Sequence, residues 1–162
     1  ELCLFLDEAG IEYTLVGGLA VGIWAAPRAT VDIDFLVSIK QEDFHVLAKR
    51  LHESGRFIFI HDKPMTFKKV SLLRATLKSN SDISVDFLFA DDDFKRQALK
   101  RSSAVTVSGF SVKIPTPEDL ILLKLQSGRP QDKLDAEKIL DMQKDHLNRE
   151  YIRMWSEKLN IK

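Results

Sequence analysis

The sequence holds a single cysteine, Cys3, so it can build neither an internal disulfide framework nor a cysteine-based zinc site. That usage fits a reducing compartment, and a cytoplasmic protein is expected. An excess of one charge is missing too. Twenty-four basic residues stand against 24 acidic ones, so no global charge asks for nucleic acid or a membrane surface, although a local basic patch is left open. No apolar run approaches the roughly 20 residues that span a bilayer, and no membrane partner is expected. No signal-peptide pattern opens the chain, which starts at Glu1. The four histidines (His45, His52, His61, His146) lie in helix or loop segments with no motif around them, so a Ser-His-Asp reading has no support. Repeats, low-complexity tracts and linkers are also lacking. One domain over residues 1–162 is expected, with a sheet core at about 11–114 and a helical part at about 116–160.

What is present is concentrated between Val16 and Val37. An apolar run, Tyr13 to Val16, ends in Gly17-Gly18. A helix over Leu19 to Ala26, a stop at Pro27 and a β-type run over Val31 to Val37 follow. Strand periodicity is two, so Asp32 and Asp34 share one face while Ile33 and Phe35 take the other. Adjacent carboxylates repel unless a cation lies between them or they share a proton. Hard oxygen ligands at this spacing suit Mg²⁺ together with substrate phosphates. A glycine turn at a helix start can hold a phosphate on its backbone N–H groups, and Arg28 suits bidentate phosphate contact. The plainer alternatives are a tight glycine turn, a solvated Arg28 and two solvated strand carboxylates.

These residues carry a resemblance. Val16-Gly17-Gly18, thirteen spacer residues (Leu19 to Val31) and Asp32-Ile33-Asp34-Phe35 resemble the pattern of the nucleotidyltransferase superfamily, with its DNA polymerase beta-like fold. The wording Arg28-x-Thr30-x-Asp32-Ile33-Asp34-Phe35-Leu36-Val37 looks most like the AbiEii-type branch, toxins of toxin–antitoxin and phage-defence systems. In the superfamily a third acid comes from a later strand. Here Val85-Asp86-Phe87 supplies it, in the strongly β-type run Ile83 to Phe89, where the alternative is an edge-strand acid. Lys124 lies in an apolar helix, and the following Gly128-Arg129-Pro130-x-Asp132-x-x-Asp135 also looks like AbiEii-type chains. The resemblance makes Lys124 the nucleotide-contacting lysine and Asp132 or Asp135 the acid beside it. Otherwise, Lys124 snorkels to the surface and Asp132 caps the next helix.

The remaining elements follow from period and punctuation. Leu2 to Glu8 reads as a helix ended by Gly10, and Gln41 to Ser54 as a helix with a Phe44, Leu47, Ala48, Leu51 stripe. Phe57 to Ile60 is a strand, and Thr66 to Lys78 one strand or two. Asp91 to Arg101 is a helix, and Ala104 to Val107 with Phe110 to Ile114 a hairpin about Ser108-Gly109. Thr116-Pro117 opens a helix to Gln126, and Asp132 to Lys144 and Asn148 to Leu159 are two more. The fold class is α+β: a mixed sheet core, helices packed on it, and a helical C-terminal third.

The resemblance implies a Mg²⁺- or Mn²⁺-dependent nucleotidyltransferase acting on an NTP. Asp32, Asp34 and Asp86 would hold the metal, with Asp86 also assisting deprotonation of the acceptor hydroxyl. Gly17, Gly18, Arg28, Thr30, Lys124 and Asp132 would hold the nucleotide. The expected acceptor is RNA (a tRNA) or a protein hydroxyl, and the expected partner a cognate antitoxin. Two alternatives stand beside it: a small-molecule, antibiotic-type nucleotidyltransferase, and a non-catalytic antitoxin-like binding module on the same fold.

Overall fold

Alternation along three strands sorts the chain into layers. A computed structural model describes residues 1–67 and 70–161. In it β1 (Tyr13–Val16), β2 (Asp32–Val37), β3 (Phe57–Ile60), β4 (Met65–Phe67), β5 (Val70–Leu77) and β6 (Ser84–Phe89) form one mixed sheet. Its order is β1-β2-β6-β5-β3, with β4 also on β5. β2 and β6 run parallel, and the other pairs are antiparallel. The run over Thr66 to Lys78 is thus two strands; Lys68 and Lys69 between them lie outside the described residues.

One face is apolar throughout. Tyr13, Leu15, Phe35, Val37, Leu73, Ala75, Val85, Phe87 and Phe89 pack there with Phe5 and Leu6 of α1 (Leu2–Glu8) and Leu47 and Leu51 of α3 (Phe44–Glu53). Phe35 stacks on Phe87 at 6.0 Å, and Tyr13 meets Phe35 edge-on at 5.6 Å. Each such ring, fully buried, contributes on the order of 1.5–3 kcal/mol from area alone. The two central strands are therefore fixed rigidly from behind.

The other face is divided. Val16 and Leu36 are covered by α2 (Gly17–Trp24), α4 (Asp93–Arg101), α5 (Pro117–Ser127) and α6 (Pro130–Gln143). Toward the start of β2 this apolar cover ends, and Asp32 and Asp34 are only partly buried. α2 begins two residues earlier than expected, at Gly17, and ends at Trp24 before Pro27. A 3-10 turn, Gln41–Asp43, precedes α3, so the segment opens less regularly than its apolar stripe implied.

Local chemistry sets the helix ends near the divided face. Asp92 caps α4 by accepting a hydrogen bond from the Lys95 N–H. Thr116 caps α5, accepting from the Asp119 N–H at 3.2 Å, with Pro117 in the first turn. Gly128, at φ +67°, ends α5 in the left-handed region, and Pro130 starts α6 at once. That tight corner lays α6 against α5. The last helix, α7 (Arg149–Lys158), is held to α5 where the Tyr151 hydroxyl donates to Asp119 at 2.6 Å. The hairpin β7 (Ser103–Val107) and β8 (Phe110–Ile114) forms a two-stranded sheet of its own, and Thr14 of β1 donates to its Lys113 carbonyl at 3.3 Å. The strands of the large sheet end at Phe89, and the hairpin carries β-structure on to Ile114. No helix among the described residues is long and apolar enough to cross a membrane.

Candidate active site

Strand register decides which acids meet. Asp34 is paired with Asp86 across the parallel β2–β6 ladder, and Asp32 with Ser84. Side chains at paired positions share a face, so Asp32, Asp34 and Asp86 project from the same side of the sheet. Arg74 of β5 is paired with Asp86 from the other flank. Its guanidinium grips Asp86 bidentately: Nε donates to Oδ1 at 2.7 Å and Nη2 to Oδ2 at 2.6 Å. Asp86 is buried and its arginine half-buried. Among the described residues, neither Asp32 nor Asp34 has a cation at ion-pair distance. Burial pushes the Asp34 carboxyl up to about 6, with the Asp86 charge adding to it; Lys124 works against the rise, Asp32 adds to it, and Arg129 opposes it.

Gly17 makes room for Asp34. Its φ is +66°, and a Cβ there would fall 1.9 Å from Asp34 Oδ2. Gly18 backs onto the next loop, where a Cβ would lie 3.0 Å from Arg28 Nη2 and 3.1 Å from Thr30 Cβ. The two glycines thus let α2 start against the acidic strand on one side and against the Arg28–Thr30 loop on the other.

A second cluster faces the first from α5 and α6. Lys124 Nζ donates to Asp132 Oδ1 at 2.9 Å and pairs with Asp135 Oδ2 at 3.0 Å. Both acids contact Lys124, three residues apart on one face of α6. Asp132 also accepts from Ser127 Oγ and Arg129 Nε. Burial pushes its carboxyl up, but hydrogen bonds from Arg129, Lys124 and Ser127 outweigh that and hold it below the ordinary range. Asp135 is likewise raised by burial and lowered further by Arg28, Lys124 and Gln131. Arg28, expected to meet phosphate, sends Nε and Nη2 to Asp135 at 3.1 and 3.0 Å and Nη1 to the Ala29 carbonyl. Asp132 sits buried inside the first turn of α6 instead of capping it, and Lys124 is buried instead of snorkelling.

Between the clusters lies a cavity of about 410 Å³ lined by Gly17, Asp34, Arg74, Asp86, Lys124 and Asp132. Leu36, Leu72, Leu88 and Leu120 supply apolar wall. Its size and its mix of apolar wall and converging charge suit a small ligand. Asp32, Gly18, Arg28 and Thr30 are not in the lining; Thr30 instead donates to the Asp32 carbonyl at 3.3 Å.

The model of the family described as "Nucleotidyl transferase AbiEii toxin, Type IV TA system" matches residues 3–149. The chain belongs to that family. It is an AbiEii-type nucleotidyltransferase, and no curated protein matches it in sequence. Solved structures bear the fold out. An antigenic nucleotidyltransferase-like protein from Paracoccidioides brasiliensis is 17% identical at TM-score 0.56, over 99% of this chain and 89% of that one. The lincosamide antibiotic adenylyltransferase LnuA, bound to lincomycin, is 14% identical at TM-score 0.55, over 87% and 93%. ANT(2")-Ia, in complex with adenylyl-2"-tobramycin, is 16% identical at TM-score 0.59, over 97% and 91%.

The acids of this AbiEii-family chain are the right donors for a hard divalent cation. As the side chains stand, however, among the described residues no three acids, histidines or cysteines converge on a common point. Of the three acids expected to hold a metal, Asp34 and Asp86 are register partners, and Asp86 is held by Arg74. Sequence reasoning missed Arg74 and Ser127, and it gave Arg129 no role. Arg74 leaves a trace in the sequence, as a charge between Leu73 and Ala75 in an apolar strand, but its meaning depends on the register.

Proposed function

We propose that this nucleotidyltransferase moves a nucleotidyl group from an NTP to a hydroxyl of RNA, a tRNA in the first instance, with Mg²⁺ or Mn²⁺. In that transfer the acceptor oxygen bonds to the α-phosphorus as its bond to the β-phosphate breaks and pyrophosphate leaves. We further propose that it acts as the toxin of a pair restrained by an antitoxin. The observation that carries the reading is the pairing of Asp34 with Asp86 on the sheet face of a cavity whose opposite wall is Lys124 and Asp132. Asp32, Asp34 and, once free of Arg74, Asp86 would hold the cation. When bound, it would supply charge neutralisation at the transferred phosphoryl group and lower the pKa of the attacking hydroxyl.

The chain's own residues divide the remaining work. Asp86 takes the proton of the acceptor hydroxyl on a carboxylate oxygen. Lys124 presents its ammonium to the triphosphate from the far wall, and Asp132 and Asp135 fix its direction. Arg28 acts through Asp135, and Gly17 leaves room for the Asp34 carboxylate at the cavity wall. The apolar leucines exclude water beside the acids, where charge interactions are stronger than in bulk.

The test is incubation with Mg²⁺, each α-labelled NTP and total tRNA, beside an Asp32→Ala/Asp34→Ala control. Label on RNA with the unmodified protein alone is the expected result, and it identifies the base. Label on a protein, or on an added aminoglycoside or lincosamide instead, replaces the acceptor class. Absence of label together with absence of an NTP-dependent thermal shift overturns the enzyme reading.

A further inference from the structure

Three carboxylates and one guanidinium project from the exposed part of the sheet face. Across the cavity, Lys124 and Arg129 are tied to Asp132, and Lys124 also to Asp135, so their charge is largely answered there. Arg74 is thus the only cation in direct contact with this trio among the described residues. It leaves the trio with a net negative charge. It also engages both oxygens of Asp86 along their shared edge, so a metal ion seeking that edge must displace the guanidinium.

The partners differ in freedom. The Asp86 side chain is 6% exposed and sits mid-strand between two paired neighbours, whereas the Arg74 side chain is 36% exposed and reaches the cavity on a long, flexible stem. If one must yield, it is the arginine. Withdrawn from Asp86, its fork remains in the same cavity, where a phosphate oxygen matches it as a carboxylate does.

We infer that Arg74 is the resident counter-ion of the acidic face, competes with the divalent cation for Asp86, and passes to the nucleotide's phosphates when the cation enters. This rests on the metal-dependent reading above. Arg74 is a positioning residue in this scheme: it holds Asp86 in place before loading, then helps seat the triphosphate. A site that must break an internal ion pair binds metal with an apparent affinity reduced by the fraction of time the pair is open.

The experiment measures Mn²⁺ binding without nucleotide, by counting free Mn²⁺ in electron paramagnetic resonance. It compares the unmodified chain with Arg74→Gln, Arg74→Lys, Asp86→Asn and the Arg74→Gln/Asp86→Asn double variant. Arg74→Gln is expected to bind Mn²⁺ about tenfold more tightly, as for a pair open about a tenth of the time, with Arg74→Lys in between. The gain should vanish in the Asp86→Asn background, because the competition is for that carboxylate. Affinity for inorganic tripolyphosphate with Mg²⁺ should fall in Arg74→Gln. Unchanged or weaker Mn²⁺ binding by a folded Arg74→Gln, or by Arg74→Lys should Arg74→Gln not fold, overturns the inference and makes Arg74 a fixed structural partner. Failure of every variant, and of the unmodified chain, to bind Mn²⁺ even with NTP overturns the metal reading itself, an outcome distinct from the former.

Discussion

A Cβ on Gly17 would stand 1.9 Å from Asp34 Oδ2 and 2.8 Å from Asp34 Cβ, so the glycine and the acid share one space. Gly17→Ala therefore combines a backbone penalty at φ +66°, roughly 1–2 kcal/mol, with displacement of a carboxylate anchored mid-sheet. The expected result is a lower melting temperature and turnover reduced about a hundredfold, since a misplacement of about 1 Å at a reacting centre has that effect. Gly22→Ala provides the contrast. Its Cβ would meet Pro27 Cα at an ordinary 3.4 Å, and in mid-helix it should stabilise by about 0.5–1 kcal/mol. Differential scanning fluorimetry and the labelling assay read both.

Arg28 covers a carboxylate that has no access to solvent: the Asp135 side chain is 0% exposed. Arg28→Ala should cost about 1–2 kcal/mol in urea unfolding, because buried Asp135 loses two charge-assisted hydrogen bonds while keeping Lys124 and Gln131. Arg28→Lys should recover only part of it, because an ammonium cannot reproduce the two-pronged contact. Had Arg28 served phosphate alone, the unfolding midpoint would stay fixed and only nucleotide affinity would fall. The two variants separate these roles.

Asp34 titrates high, at about 6, because it is buried beside Asp86 and Asp32. The folded chain therefore binds a proton there that the unfolded chain, with an ordinary carboxyl near 3.9, releases earlier. The sign follows: with metal removed by a chelator, stability declines as pH rises from about 4 through about 6, by on the order of 2–3 kcal/mol. Asp34→Asn should flatten that slope and make the metal-free chain more stable than its parent at pH 8. The depressed carboxyls of Asp132 and Asp135 act in the opposite sense, with their stabilisation lost only as pH falls below about 4. Unfolding curves at several pH values, parent against variant, isolate the Asp34 contribution.

The parts of the site legible in the sequence are those written locally. Period-two alternation placed Asp32 with Asp34 and isolated Asp86 among apolar residues, and Thr116-Pro117 and Gly128 bounded the lysine helix. What stayed hidden depends on pairing between distant segments. Arg74 acquires its role only because β5 and β6 register it against Asp86. Arg28 looked like a solvated or phosphate-seeking loop cation, because its partner lies 107 positions away. The start of α2 was misplaced for another reason. Glycine is a poor helix former, yet α2 begins at these two: Gly17, at φ +66°, leaves room for Asp34, and Gly18 lies close against the Arg28–Thr30 loop.

The tie between Arg28 and Asp135 also bears on when the protein can first work. All three sheet acids lie before residue 90, but the far wall of the cavity and the anchor of the Arg28 loop come from α5 and α6. A polypeptide still emerging from the ribosome would carry every acid of the sheet face while lacking Lys124, its two carboxylates and the brace behind Gly18. It should remain inert until residue 135 has cleared the exit tunnel, several seconds after Asp86 at about 5–20 residues per second. Competence is thus deferred to late in synthesis of the matched region, by the placement of a single buried carboxylate.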